Sequence, residues 1–347
     1  MRYSIIIPMY NAADFIINTL NSILRNDLSE TELVIVDDGS TDDGAVLAEN
    51  HLRMADVCNY KIIRQNNGGV SNARNTGISA ACGEYLIFCD SDDEIEEGLI
   101  DELNETYLDS KAVYDVIAWP FFAEQKGDKK LQCMVSHGPV QDRGIVRSGD
   151  YSRNDFLRIH LLEGFKVRLG SFAIKRDIIE SGKLRFDESC TLGEDVEFFM
   201  KAFLKSVLFH VLEEPYYTYK KHQGSLAYSY NIRRFEAPLA MKRVAECHET
   251  ELLPEELREY VDNGLFVLHT IYAFDSCLSY IRDRKALKKF YDEYMEKYGE
   301  IEILLRDKMK NMNNPPYGVS FKRLIALRLS TNAYLNYIYL KQAGRKE

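Results

Sequence analysis

Residues 86–94 read LIFCDSDDE, an apolar run that passes straight into Asp90, Ser91, Asp92, Asp93 and Glu94. Asp90, Ser91 and Asp92 form a D-x-D step where a strand should end. Carboxylates this close repel one another, and a divalent cation carrying a phosphate-bearing substrate would offset that repulsion. The device occurs once more upstream, where ELVIVDDGSTD (residues 32–42) ends an apolar run in Asp37 and Asp38. Two acid-tipped strands in one half of the chain point to a nucleotide site at the carboxyl edge of an open sheet.

The neighbouring segments supply that sheet. YSIIIP (3–8) is a continuous apolar run, as a buried parallel strand requires, and Phe15, Ile16, Leu20, Ile23 and Leu24 then recur at helical spacing. ELVIVD (32–37), YKIIR (60–64) and EYLIFC (84–89) read as further strands. Ser40 or Asp42 is placed to cap a helix over about 42–55, and Ser71 to cap one running through Ala81. The acids of EIEEGLIDEL precede or open the next helix, where its dipole favours them. Repeated strand–helix units imply parallel strands with right-handed crossovers.

From about residue 113 the rhythm changes. YDVIAWPFF is strand-like, 124–150 reads as a polar hairpin excursion, and 151–162 is helical. GSFAIKRDIIESG reads as strand then helix, EDVEFFMKAFLKS as an amphipathic helix, and EEPYYTYKK as extended. After about 232 the pattern is helical to the end, broken at Pro254 and at NNPP (313–316). The expected division is a catalytic domain over 1–230, with a nucleotide-binding half (1–110) and an acceptor half (111–230), then a helical region over 231–347.

The length of 347 residues and the 46% apolar fraction suit one large globular domain with an appendage. The net charge of −10 hides an asymmetry: residues 1–110 carry 6 Lys/Arg against 21 Asp/Glu, while 301–347 carry 9 against 3. So acidic a half suits a metal and argues against a nucleic-acid phosphate track. The basic tail suits an anionic surface or a partner. There, Phe321, Leu324, Ile325, Leu329, Ala333, Tyr337 and Leu340 can form an apolar stripe flanked by Lys322, Arg323 and Arg328. That is the pattern of a helix lying at a membrane face, though a packed helix or a homo-oligomer contact would read alike. The expected location is cytoplasmic: no signal segment or spanning stretch stands out, and seven scattered cysteines suit a reducing compartment.

Five clusters carry candidate chemistry. On an extended chain Asp90 and Asp92 would face one side; on a turn, one would reach a metal and the other a ribose hydroxyl. The plain alternative is that Asp92 or Asp93 caps the next helix. The Asp37–Asp38 tip could accept from a base, and Tyr10 could stack on it; a loop cap and a surface tyrosine read the same way. In RQNNGGVSNARNTG (64–77), Gly68 and Gly69 let backbone approach a ligand, and Arg74 sits one turn into the following helix. Gly193-Glu194-Asp195 opens a helix, where acids commonly serve the dipole; in a cleft, one could be a general base. YTYKKHQGSLA (217–227) offers Lys220, Lys221, His222 and Ser225 to a leaving phosphate. The two lysines beside it, Lys220 and Lys221, favour a neutral His222 able to bind metal.

Taken in order, IIIPMYN, VDDGSTD, NGGVSNARNTG, FCDSDD, GED and Y-x-Y-K-x-x-x-G-S resemble the family 2 glycosyltransferases of bacterial polysaccharide type. The resemblance covers roughly the first 230 residues. It implies the GT-A fold, an open, mostly parallel α/β sheet flanked by helices, here followed by an α-helical C-terminal region. It also implies a metal-dependent, inverting transfer of one sugar from a nucleoside diphosphate sugar, UDP by preference, to a glycan or lipid-linked acceptor. By the same resemblance, Tyr10 would pack on the base, Asp38 would read it, and Pro8 would belong to the nucleotide-sugar site. Asn67, Gly69, Arg74, Asp90, Ser91 and Lys221 would line the nucleotide sugar. Asp92 and His222 would hold Mn2+ or Mg2+, and Asp195 would be the base, with Glu194 beside it. Two departures bear on the substrate: Leu169 stands where many relatives have Trp, and Lys220–Lys221 where many have Arg. The Q-x-x-R-W signature of processive synthases is absent. A sugar nucleotidyltransferase would need a G-x-G-T-R-like loop where MYNAADF stands. A catalytically inactive sugar-binding scaffold would not need Asp90, Asp92 and Asp195 together.

Overall fold

The computed structural model describes residues 1–109, 113–136, 145–221, 230–310, 312, 316, 319 and 321–343. In chain order the first part contains β1 (Tyr3–Met9), α1 (Ile16–Ile23), β2 (Thr31–Asp37), α2 (Gly44–Met54), β3 (Tyr60–Arg64), α3 (Val70–Ala80) and β4 (Tyr85–Phe88). β1 and β2 are buried at every position, which is why they read as unbroken apolar runs rather than alternating ones. β1 pairs in parallel with β2 on one side and β4 on the other, and β2 pairs in parallel with β3. The chain moves outward from β1 to β3 and then crosses back to β4. The order therefore reverses beside β1, and a crevice opens at the carboxyl ends of the strands there.

Next come β5 (Glu94–Ile95), α4 (Leu99–Asp109), β6 (Val116–Ala118), β7 (Phe121–Gln125), β8 (Asp128–Leu131), β9 (Met134–Ser136), β10 (Ile145–Arg147), β11 (Gly149–Ser152) and α5 (Arg153–Leu161). β12 (Phe172–Lys175), α6 (Arg176–Ser181), α7 (Glu194–Lys205), β13 (Leu208–Val211) and β14 (Tyr217–Lys221) follow. Among the described residues the main sheet runs β11-β13-β6-β12-β4-β1-β2-β3, and a smaller sheet runs β5-β14-β7-β8. β12 is antiparallel to both β4 and β6, so the sheet is mostly parallel with an inserted reversal. In the segment expected as a hairpin, 124–150, β8 runs antiparallel to β7, which begins before it at Phe121, whereas β9 and β10 pair in parallel.

Two expected caps fall elsewhere. Gly69 is the N-cap of α3, and Ser71 lies buried inside the first turn. Ahead of α2, Asp42 accepts from the Gly44 N–H at 3.0 Å and from the Ala13 N–H at 2.8 Å. It therefore ties the turn after β1 to the one after β2 as well as ending the loop.

The chain divides into two compact units, one of Met1–Thr191 with Phe198–His222, the other of Leu192–Glu197 with Gln223–Glu347. The break thus falls earlier than the expected 230, and the G-E-D segment belongs with the C-terminal residues. The second unit holds α8 (Glu236–Ala245), α9 (Glu255–Glu259), α10 (Leu265–Leu278), α11 (Arg284–Lys310), α12 (Phe321–Leu329) and α13 (Thr331–Ala343). Its core gathers Phe235, Phe274, Phe290, Tyr294, Leu324, Leu327, Tyr334, Leu335 and Ile338.

The C-terminal stripe is corrected accordingly. The segment breaks at Ser330 into two helices, so a single periodicity across 321–340 does not describe one face. Leu324 is in the core, Ala333 and Tyr337 are half-buried, and Ile325 is 46% exposed. The side chains of Phe321, Leu329 and Leu340 lie outside the description. No described helix is long and apolar enough to cross a membrane.

Candidate active site

At the end of β1, Met9 is buried and Tyr10 is 52% exposed, so the strand presents one aromatic ring to solvent. Pro8 is a buried strand residue in register with Val36, so its part is to shape the strand end rather than to offer a polar contact. The Met9 carbonyl accepts from the Asp38 N–H at 2.8 Å, which joins the tips of β1 and β2.

Asp38 is 3% exposed, and its carboxylate is engaged. Oδ1 accepts from Gly68 N–H at 2.9 Å and Gln65 Nε2 at 2.7 Å, and Oδ2 accepts from Gly69 N–H at 2.8 Å. It thereby shapes the Gly68–Gly69 loop, in which Gly69 has φ +88°, a conformation that a Cβ would strain. Asn67, on the same loop, is exposed.

The D-x-D segment is a turn. The Asp93 N–H donates to the Asp90 carbonyl at 3.0 Å, and Thr19 Oγ1 of α1 donates to the carbonyls of Ser91 and Asp93 at 2.9 and 2.8 Å. The next helix starts only at Leu99, so neither Asp92 nor Asp93 is its cap. Arg74, buried, donates from Nη2 to Asp90 Oδ1 at 2.8 Å, and its guanidinium lies 5.3 Å from the centre of the Phe186 ring. Ser91 and Asp92 are half-buried. Asp93, 1% exposed, takes a hydrogen bond from the Tyr217 hydroxyl and another from the Lys220 N–H at 2.7 Å. Burial, then the neighbouring Asp90 and Asp92, push its carboxyl well above the usual range; burial and Asp93 push the Tyr217 phenol up as well.

Asp93 was legible only as another acid in a cluster; nothing in its spacing announces a buried anchor to β14. Asn75 is a second residue that pattern reading passes over. Its Oδ1 accepts from the Phe186 N–H at 2.8 Å and its Nδ2 donates to the Phe186 carbonyl at 2.9 Å. That holds the ring beneath Arg74. On β14, Lys220 pairs with Glu94 at 2.5 Å and Lys221 is half-buried; His222 and Ser225 lie outside the described residues. Leu169 is buried, and the neighbouring Arg168 guanidinium lies 4.0 Å from the centre of the Tyr219 ring.

In the second unit, Gly193 with φ +99° opens α7, followed by buried Glu194 and half-buried Asp195. Asp195 Oδ1 accepts from the Val196 N–H at 2.8 Å. His269 of α10 feels its charge: packing lowers the imidazole to about 4, and Asp195 opposes that shift. The sequence gives no signal for His269 beyond a polar residue in an apolar helix.

The family model for Glycosyl transferase family 2 matches residues 4–171. The chain is 31% identical over 276 residues to the putative glycosyltransferase EpsH of Bacillus subtilis, spanning 77% of this chain and 74% of that one. The chain belongs to glycosyl transferase family 2. The uncharacterized glycosyltransferase EpsJ of B. subtilis is 30% identical over 223 residues, 64% of this chain and 62% of EpsJ. The alignment thus leaves more than a third of EpsJ unmatched. Among solved structures, S. aureus TarS 1-349 in complex with UDP-GlcNAc superposes with a TM-score of 0.67 at 21% identity, covering 99% of this chain and 92% of that one. The expected GT-A architecture with its helical C-terminal region is therefore the observed fold.

For this family 2 chain the fit of a divalent ion depends on the donor set. Among the described residues no group of three or more His, Cys, Asp or Glu is placed to hold a metal. Mg2+ or Mn2+ on a diphosphate is commonly held through one or two carboxylates plus phosphate oxygens and water. A half-buried Asp92 on a fixed turn, beside Asp90, meets that demand; Asp93, committed to Tyr217 and Lys220, does not contribute.

Proposed function

We propose that this family 2 protein transfers one sugar from a UDP-sugar to a hydroxyl of a glycan or lipid-linked acceptor in bacterial surface polysaccharide synthesis, inverting the anomeric carbon. The observation that carries the reading is the convergence of Tyr10, the Asp38-held glycine loop and the Arg74–Asp90 pair at the carboxyl edge of parallel strands. Such an edge, at a reversal of strand order, is where open α/β sheets take nucleotides. The UDP-GlcNAc bound to TarS supports UDP as the nucleotide.

In this reading Tyr10 covers the base, and the Gly68–Gly69 loop, held in shape by Asp38, lies along the donor. Asp90 holds the ribose. Asp92, with His222 as a further donor, would hold Mn2+ or Mg2+, which would supply positive charge to the diphosphate. Arg74 and Lys221 add fixed charge near the same oxygens. Asp195 accepts the proton of the acceptor hydroxyl. The acceptor oxygen forms its bond to the anomeric carbon on the face opposite the diphosphate, and the bond to the diphosphate oxygen breaks with its electron pair. Glu194 sits beside the base.

A thermal-shift panel of UDP-glucose, UDP-galactose, UDP-GlcNAc and UDP-GalNAc, with GDP-mannose as a contrast, tests the reading with and without Mn2+. A ligand at 100 times its dissociation constant contributes about 2.7 kcal/mol. A UDP-sugar should therefore raise Tm by several degrees with Mn2+ and by less with EDTA. No shift from any UDP-sugar would remove the proposal.

A further inference from the structure

Within the second unit, α8 holds the G-E-D turn at two points. Glu197, 4% exposed, forms a two-pronged ion pair with Arg243 of α8: Nε to Oε1 at 2.8 Å and Nη2 to Oε2 at 2.5 Å. The Glu197 N–H donates to the Gly193 carbonyl at 2.9 Å, so the pair holds the first turn of α7. At the other end of α8, Ala237 packs so closely on Gly193 that a Cβ there would lie 2.7 Å from Ala237 Cα. Gly193 is thus required twice, for its left-handed φ of +99° and for that approach. α8 in turn packs along α10, in the core of the unit.

We infer that Arg243 is a positioning residue: through its paired bonds to Glu197, it fixes the helix turn that carries Asp195. The inference rests on the reading of Asp195 as the base. A planar guanidinium matched to a carboxylate fixes direction as well as distance, which a lysine ammonium does not. A general base must meet the hydroxyl at hydrogen-bond distance, and a shift of about 1 Å can cost about 10²-fold in rate. Glu197 and Arg243 lie 46 residues apart in sequence and belong to no shared motif.

The experiment compares R243M, R243K, the charge swap E197R/R243E and D195N in the full chain. UDP release is measured with Mn2+ and the most active of the four UDP-sugars, with water as acceptor. UDP affinity is measured by calorimetry, and Tm is recorded for each variant. The expected result is a 10- to 100-fold fall in kcat for R243M and at least a fivefold fall for R243K. UDP affinity should stay within about twofold, and the swap should recover most of the rate. If R243M fails to fold, R243K decides. Wild-type kcat in R243K, or a kcat loss matched by an equal loss of UDP affinity, would overturn the inference while D195N is inactive. An active D195N would overturn the reading of the base, and the inference with it.

Discussion

Asp92 and Asp93 are adjacent acids with opposite fates. Asp93 is buried and committed to Tyr217 and Lys220, while Asp92 stays half-buried on the turn. Under the proposed function Asp92 is the acid that would hold the divalent ion. Replacing Asp92 with alanine should weaken UDP binding about tenfold or more in Mn2+ and leave binding in EDTA unchanged. Calorimetry under the two conditions checks it, and equal affinities for wild type and variant in Mn2+ would remove Asp92 as the metal ligand. The D-x-D step was legible in sequence because strands announce their ends by a change of polarity. What could not be read was which acid faces inward. That depends on Tyr217, 124 residues away, whose hydroxyl meets Asp93 only after β14 pairs with β5.

Among the elements, β1 and β2 are joined at both ends. At the carboxyl end Asp38 bonds to Met9. At the other end Glu32 accepts from Ser4 Oγ at 2.6 Å and the Cys82 N–H at 2.5 Å, and pairs with Lys61 at 2.9 Å. Burial pushes the Glu32 carboxyl up, but the bonds from Ser4, Cys82 and Lys61 outweigh it, so the group lies below its ordinary 4.5. A depressed carboxyl stabilises the fold above the unfolded-state value and loses that contribution as pH falls through the folded one. Glu32→Gln should therefore cost about 1–3 kcal/mol at pH 7, and the deficit should shrink below about pH 4. Urea unfolding of both proteins at pH 7 and pH 3.5 reads it; a deficit independent of pH would exclude the ionised carboxylate as its source. The strands themselves were evident because apolar runs of five to seven residues leave little choice of face. The starts of α2 and α3 were less so: several polar residues stand in each loop, and long-range bonds such as Asp42 to Ala13 decide between them.

On the scale of the whole chain, the motifs lie before residue 230, and periodicity alone described the rest. That periodicity misassigned the final helices, because Ser330 interrupts them and the core selects Leu324, Leu327, Tyr334, Leu335 and Ile338. Tyr334 is fully buried, with its hydroxyl 3.1 Å from Asp275. Tyr334→Ala should cost about 3–5 kcal/mol, as large aromatic truncations in a core do. Denaturant unfolding that places the variant within 1 kcal/mol of wild type would show that α13 is not part of that core. The grouping of 192–197 with the C-terminal residues was also hidden, since the Glu197–Arg243 pair follows no spacing rule.

The central claim is that the chain is a metal-dependent UDP-sugar transferase whose base is Asp195. The most direct test is the steady-state rate of UDP release from the panel of UDP-sugars by wild type and by Asp195→Asn, with Mn2+ and with EDTA. The account predicts release by wild type in Mn2+, suppression by EDTA, and a fall of about 10²–10⁴-fold in the variant. Equal rates for wild type and variant, or undiminished release in EDTA, would contradict it.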